Sequence, residues 1–169
     1  MHKLLIILLL YLFYSLPASA EVVKKINISG NKRVSVETIK IYGGIETNKD
    51  YKEQDLNNIF NNLYSTNFFE DVQIELSNNI LNIKLIEHPV INQLIILGED
   101  RNKFLEQIKK LIKSREKDSY IKNNIVKDVD IIKQLYGSLG YNFVQVETKV
   151  KKIDSSNLDL IFEIFTSPS

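Results

Sequence analysis

Residues 62–76 read NLYSTNFFEDVQIEL, and residues 134–148 read QLYGSLGYNFVQVET, 72 positions later. Both carry Leu-Tyr, a short polar stretch, an aromatic at Phe69 or Tyr141, and a run ending in Val-Gln-Ile or Val-Gln-Val. A chain that writes the same phrase twice must have room for the same unit twice. The spacing exceeds the roughly 20–50 residues of solenoid repeats. It predicts two small domains in tandem, each with its own core.

The pattern around each phrase gives the content of the unit. Ile26 and Ile28 alternate before Gly30-Asn31, which predicts a strand ending in a turn. Ser35 followed by Thr38 and closed by Gly43-Gly44 predicts a short helix. Leu56, Ile59, Phe60, Leu63 and Tyr64 then fall at i, i+3, i+4, i+7 and i+8, one helical stripe, with Asp50 as the expected cap. Val72, Ile74 and Leu76 alternate with Gln73 and Glu75. Asn78-Asn79 turns the chain, and Leu81, Ile83 and Leu85 return it as a hairpin with one buried face.

From Val90 the order repeats. A strand closed by Gly98 leads to a helical stripe through Phe104, Leu105, Ile108, Leu111 and Ile112. A second stripe runs from Ile121 through Ile132, Leu135 and Tyr136 to Leu139, and an alternating pair of strands follows. The fold class is α+β: two β-α-α-β-β domains, each with two helices on a three-stranded mixed sheet. The expected boundaries are 21–88 and 89–166. The repeated phrase is the helix-to-strand join, where Phe69 and Tyr141 are expected to plug the core. The short EHPV junction, stiffened by Pro89, predicts limited hinge motion.

The first twenty residues stand apart. Lys3, an apolar run from Leu4 to Leu16 and the Ala18-Ser19-Ala20 ending form a secretory signal peptide, with cleavage expected between Ala20 and Glu21. The apolar run is shorter than the roughly 20 residues of a spanning helix. Removing it leaves a chain of zero formal charge with interspersed signs, which offers no footprint for nucleic acid. Cysteine is absent, so no disulfide supports the exported product.

No catalytic constellation is legible, and the chain is read as a non-enzyme. Its histidines are His2 and His88, and without cysteine a zinc site is improbable. No cofactor or metal is expected. Asp128 and Asp130 have the alternate spacing of a calcium loop but lack its glycine and closing glutamate. They are expected to be solvated helix residues.

Taken together, Gly30, Asn31, Arg33, Val34, Ser35, Glu37, Thr38 and Ile39 form one conspicuous string. Asp55, Leu56, Asn57, Leu63, Tyr64, Thr66, Phe68, Phe69, Glu70, Asp71 and Val72 form a second, and Glu87, Pro89, Val90 and Ile91 a third. The combination resembles the polypeptide-transport-associated (POTRA) domains of the BamA family of outer membrane protein assembly factors. Leu135, Tyr136, Gly140 and Tyr141 resemble the matching segment of a second such domain. The turn after Gly98, Glu99-Asp100-Arg101, departs from the pattern.

The resemblance implies a periplasmic protein at the cell outer membrane. It would bind unfolded outer membrane β-barrel proteins by strand addition and dock the accessory Bam lipoproteins. Members continue into a membrane β-barrel, which this sequence lacks, so a truncated frame or a stand-alone piece is expected. The rivals are the POTRA part of a two-partner secretion transporter, a cell-division protein with one POTRA domain, and a periplasmic adaptor. Edge strands able to take a partner are expected at Val72, Gln73, Ile74, Glu75 and Leu76, and at Val144, Gln145, Val146 and Glu147. Phe143, Ile161 and Phe165 fall opposite the core face, where an apolar surface would favour self-association.

Overall fold

The computed structural model describes residues 21–141 and 143–166. The expected signal peptide, with Ala20 at its cleavage site, lies outside the described residues. The first domain runs β1 (Glu21–Val22), β2 (Lys25–Ser29), α1 (Val36–Gly43), β3 (Asp50–Tyr51), α2 (Glu53–Ser65), β4 (Phe69–Ser77) and β5 (Ile80–Glu87). The second runs β6 (Val90–Leu97), α3 (Asn102–Leu111), α4 (Lys122–Ser138), β7 (Val144–Lys152) and β8 (Asn157–Thr166).

Each domain is a three-stranded mixed sheet with its last strand in the centre, in the orders β2-β5-β4 and β6-β8-β7. β2 and β5 run parallel, as do β6 and β8, and the hairpin partners β4 and β7 are antiparallel. A parallel pair needs a long crossover, and the two helices supply it. The β4–β5 turn is Asn78-Asn79, with φ of 52° and 62°, the left-handed pair that a tight hairpin requires.

Two expectations are corrected here. Asp50 does not cap a helix: it lies in β3, paired with Val22 in a small two-stranded sheet that was not foreseen. α2 starts after Lys52, whose N–H donates to the Asp55 carboxylate at 2.9 Å. The α2 stripe is also narrower than expected. Ile59 and Leu63 are buried, but Phe60 and Tyr64 are exposed and stack on each other at 5.6 Å.

The cores are separate. One gathers Ile39, Ile59, Leu63, Phe69, Leu81, Ile83 and Leu85, the other Ile91, Ile108, Ile112, Ile132, Tyr136, Leu160 and Phe162. Equivalent glycines seat the strand ends. A Cβ on Gly30 would lie 2.0 Å from the Leu85 carbonyl oxygen, and one on Gly98 would lie 2.0 Å from that of Ile164. Their φ values of +87° and +84° are also glycine territory.

The junction between the domains is tied on both sides. The His88 N–H donates to Phe68 O at 2.9 Å, and Arg33 Nη2 donates to His88 O at 3.0 Å. Tyr120 N–H donates to Pro89 O at 2.8 Å, anchoring the linker to the second domain. Burial holds the His88 imidazole below its ordinary pKa, against the opposing pull of Glu70.

Candidate functional site

A mixed three-stranded sheet leaves two edges, and their unpaired backbone groups are its means of binding another chain. Both expected segments lie on edges: Val72–Leu76 in β4 and Val144–Glu147 in β7. On β4, Val72 is buried, Ile74 and Leu76 are half-buried, and Gln73 and Glu75 are exposed. On β7, Val146 is buried and Val144 half-buried, whereas Gln145 and Glu147 are exposed and joined at 2.8 Å. Beyond Val146 the strand leaves its core: Thr148 and Val150, next in the same alternation, are exposed. β4 and β7 belong to different sheets, so these are two separate sites.

The four edges are not equally open. β6 is covered at its start by the α3–α4 loop, where Ile91 N–H donates to Asp118 O at 2.9 Å and Lys117 N–H to Ile91 O at 2.7 Å. Glu116 also accepts from Leu94 N–H at 3.2 Å. β2 has only five residues. β4 carries a bulge between Phe69 and Asp71. β7 pairs with β8 through nine consecutive positions without a shift.

That covering loop hangs on Asp128, which corrects the expectation for this residue. Asp128 is fully buried, not solvated. Its carboxylate accepts from Lys113 N–H at 2.6 Å, Ser114 N–H at 2.9 Å and the Ser114 hydroxyl. A carboxylate given three donors can be buried at tolerable cost. Asp130 is exposed, as expected.

The turn after the first strand is the second shared feature. In the first domain Glu87 accepts from the N–H groups of Lys32 at 2.7 Å, Arg33 at 3.0 Å and Val34 at 3.0 Å, and pairs with Arg33 Nε at 3.3 Å. Asn31 Nδ2 donates to Val34 O at 2.9 Å, closing the turn. In the second domain the arginine three positions after the glycine is Arg101, and its acid is Glu99 within the same turn. Arg101 donates through N at 2.8 Å, Nε at 2.8 Å and Nη2 at 2.7 Å. The Arg101 guanidinium holds the Glu99 carboxyl at about 2, down from 4.5, against the opposing effect of burial. The Tyr136 hydroxyl donates to the same carboxylate at 2.6 Å, and burial, with that bond, pushes its own pKa up. The sequence reading missed Glu99, Arg101 and Tyr136 as a unit. The legible signal was the shared spacing, arginine three after glycine.

The repeated phrase is therefore used differently in its two copies. Phe69 is buried as expected, but Tyr141 is 36% exposed and does not plug the core. Tyr136 does so instead: it is 1% exposed, edge-on to Phe104 at 5.0 Å and to Tyr141 at 5.5 Å. Tyr64, its counterpart, is 54% exposed. A buried tyrosine needs a partner for its hydroxyl, and in the second domain the Glu99 carboxylate of the turn supplies it. On the outer sheet face Phe143 is 79% and Phe165 45% exposed, with Ile161 half-buried. The first domain has instead a shallow depression of about 570 Å³ across β2, β4 and β5, lined by Asn27, Gln73, Glu75, Asn82 and Lys84 together with Ile74 and Ile83.

Comparison with known proteins agrees with this architecture. The POTRA family, described as a surface antigen variable number repeat, matches residues 21–87 and again 89–165. The outer membrane protein assembly factor BamA of Neorickettsia risticii is 28% identical over 151 residues, covering 88% of this chain and 20% of the relative. BamA of Neisseria meningitidis serogroup B is 27% identical over 143 residues, covering 82% of this chain and 18% of the relative. This chain thus spans about a fifth of the length of either. Among solved structures, the N-terminal domain of Omp85 from Thermosynechococcus elongatus superposes with a TM-score of 0.51 at 13% identity. That match covers 83% of this chain and 61% of the other, and it speaks for the fold alone. With its family matched across both halves, the chain belongs to the POTRA family and carries two such domains in tandem.

Proposed function

We propose that these domains form the periplasmic part of an outer membrane protein assembly factor. They bind extended segments of unfolded β-barrel proteins as added strands along β4 and β7. The observation that carries the reading is the pair of open edge strands, each with a buried side facing the core and a polar side facing out. Strand addition takes its affinity from main-chain hydrogen bonds and so tolerates many sequences, which suits a protein that meets many precursors. The relatives at 27–28% identity are named as assembly factors, which favours this reading over a secretion transporter. The role is non-catalytic and needs no cofactor. Accessory lipoproteins would dock on surfaces that client strands leave free.

The test is backbone hydrogen exchange of the chain with and without a ten-residue peptide of alternating barrel-strand pattern. The expected result is slowed exchange confined to alternate amides within 72–76 and 144–147. A peptide with a central proline should lose the effect, because it cannot complete the ladder. Protection on α2 or α4 instead, or equal binding of the proline peptide, would overturn the proposal.

A further inference from the structure

We propose that β7 is also a self-pairing edge, on which a second copy of this chain adds its own β7 antiparallel about a two-fold axis at Thr148. Among the four edges β7 is long, unshifted and free of a covering loop, and the device that guards it is charge: Glu147, Lys149, Lys151 and Lys152 are exposed along it. Its residues choose the occupant. The register that uses all nine residues centres on Thr148, and it sets Glu147 of each copy opposite Lys149 of the other. It also sets Val146 opposite Val150 and Gln145 opposite Lys151. A shift of the centre to 147 or 149 would place glutamate on glutamate or lysine on lysine. A centre at 150 would place Lys149 on Lys151. Opposite charges directly across a ladder stabilise it, and like charges do the reverse.

Two features of the single chain are resolved by this pairing. Within the sheet Glu147 lies directly opposite Glu163, a like-charged pair in which Lys149 bonds Glu163 and the Gln145 amide donates to Glu147. A second Lys149 arriving from the other copy would complete the alternation. Val150 lies on the core side of β7 yet is 41% exposed, since the helices no longer cover the strand there. Val146 of the second copy would cover it. In its own full-length register, centred on Gln73, β4 would set Asp71 of each copy opposite Glu75 of the other, and its bulge interrupts the ladder. An acidic β4 could add to a basic β7, but that contact is heterologous and grows an open chain rather than a closed pair. Self-pairing would use the same β7 edge as a client strand and compete with it there, whereas a dimer leaves β4 free.

The experiment uses charge exchange and a single thiol. The native chain should sediment as a concentration-dependent dimer that stops at two. Glu147→Lys and Lys149→Glu each turn two attractive pairs repulsive and should weaken self-association roughly tenfold. An equimolar mixture of the two variants should dimerise, since every facing pair is then opposite in sign. Lys149→Glu also removes the partner of Glu163 and could harm folding. Cross-linking therefore provides a route that leaves the charges alone. The chain has no cysteine, so Thr148→Cys introduces one thiol facing its own copy, with Cα atoms about 4.5–5.5 Å apart, inside the disulfide range. Gln145→Cys would lie about 20 Å from its copy and should not oxidise to a dimer. A monomer at millimolar concentration, equal cross-linking at 145 and 148, or oligomers beyond two would each overturn the proposal.

Discussion

In the first domain, the arginine three residues after the strand-ending glycine finds its acid 54 positions away, at the far end of the hairpin. In the second domain the same arginine finds its acid two positions back, within its own turn. The first arrangement welds turn to sheet and, through Arg33 and His88 O, the sheet to the linker. The second turns inward and gives a buried hydroxyl its partner. One fold thus uses one motif for two jobs: the first domain secures the boundary between domains, and the second secures its own core. What the two domains share without variation is the glycine itself, seated on a carbonyl of the central strand.

The shared part should therefore fail alike. Gly30→Ala and Gly98→Ala each force a methyl to within 2.0 Å of a backbone oxygen at a positive φ. Each is expected to cost on the order of 3 kcal/mol or more. Domain-resolved hydrogen exchange in denaturant would show the first variant opening β2–β5 and the second β6–β8. A loss below about 1 kcal/mol in either would mean that the carbonyl contact is not what fixes the strand end.

The next effect is confined to one domain. Asp128→Ala leaves three donors of the α3–α4 loop without their acceptor and should destabilise the second domain by about 2–3 kcal/mol. Because that loop covers β6, the Ile91 and Leu94 amides should lose protection in the same variant, while the first domain is untouched. If the stability falls and those amides stay protected, the loop is held to β6 by its backbone alone.

The sequence carried the architecture clearly and the side-chain partnerships poorly. Alternation at Leu81, Ile83 and Leu85, or at Leu158, Leu160 and Phe162, has one reading, because a half-buried strand must sort its residues by side. The Ser35 cap was legible for a similar reason: its hydroxyl accepts from Thr38 N–H at 3.1 Å, a bond between near neighbours. Asp128 was not legible, since its three donors lie 14 and 15 positions away on a loop without a pattern. Tyr64 and Tyr136 hold equivalent places in near-identical phrases, so no local rule separates them. The residue that decides is Glu99, on a different element. The strands at Val72–Leu76 and Val144–Glu147 were expected as edges without a strand order to derive them from, and the sheet orders put both on edges. That β7 is open and β6 covered depended on how one loop settles.

The smallest effect separates the two copies of the phrase most sharply. Tyr136→Phe removes one donor from a buried carboxylate and should cost about 1–2 kcal/mol, whereas Tyr64→Phe should stay within about 0.5 kcal/mol. The pH dependence supplies the check. Glu99 has a folded pKa of about 2 against 4.5, so the unfolded chain binds its proton first as the solution is acidified. The stabilisation is then fully present above about pH 4.5 and is lost as pH falls toward 2. Arg101 is more than half exposed, so solvent screening reduces the contribution to roughly 2 kcal/mol. Removing the Tyr136 hydroxyl raises the folded pKa of Glu99 and should flatten the acid limb of the second domain. The Tyr64 variant should follow the native curve throughout. An unchanged acid limb in Tyr136→Phe would assign the lowered pKa to Arg101 alone, and the hydroxyl would then contribute to packing in the second core without holding the charge.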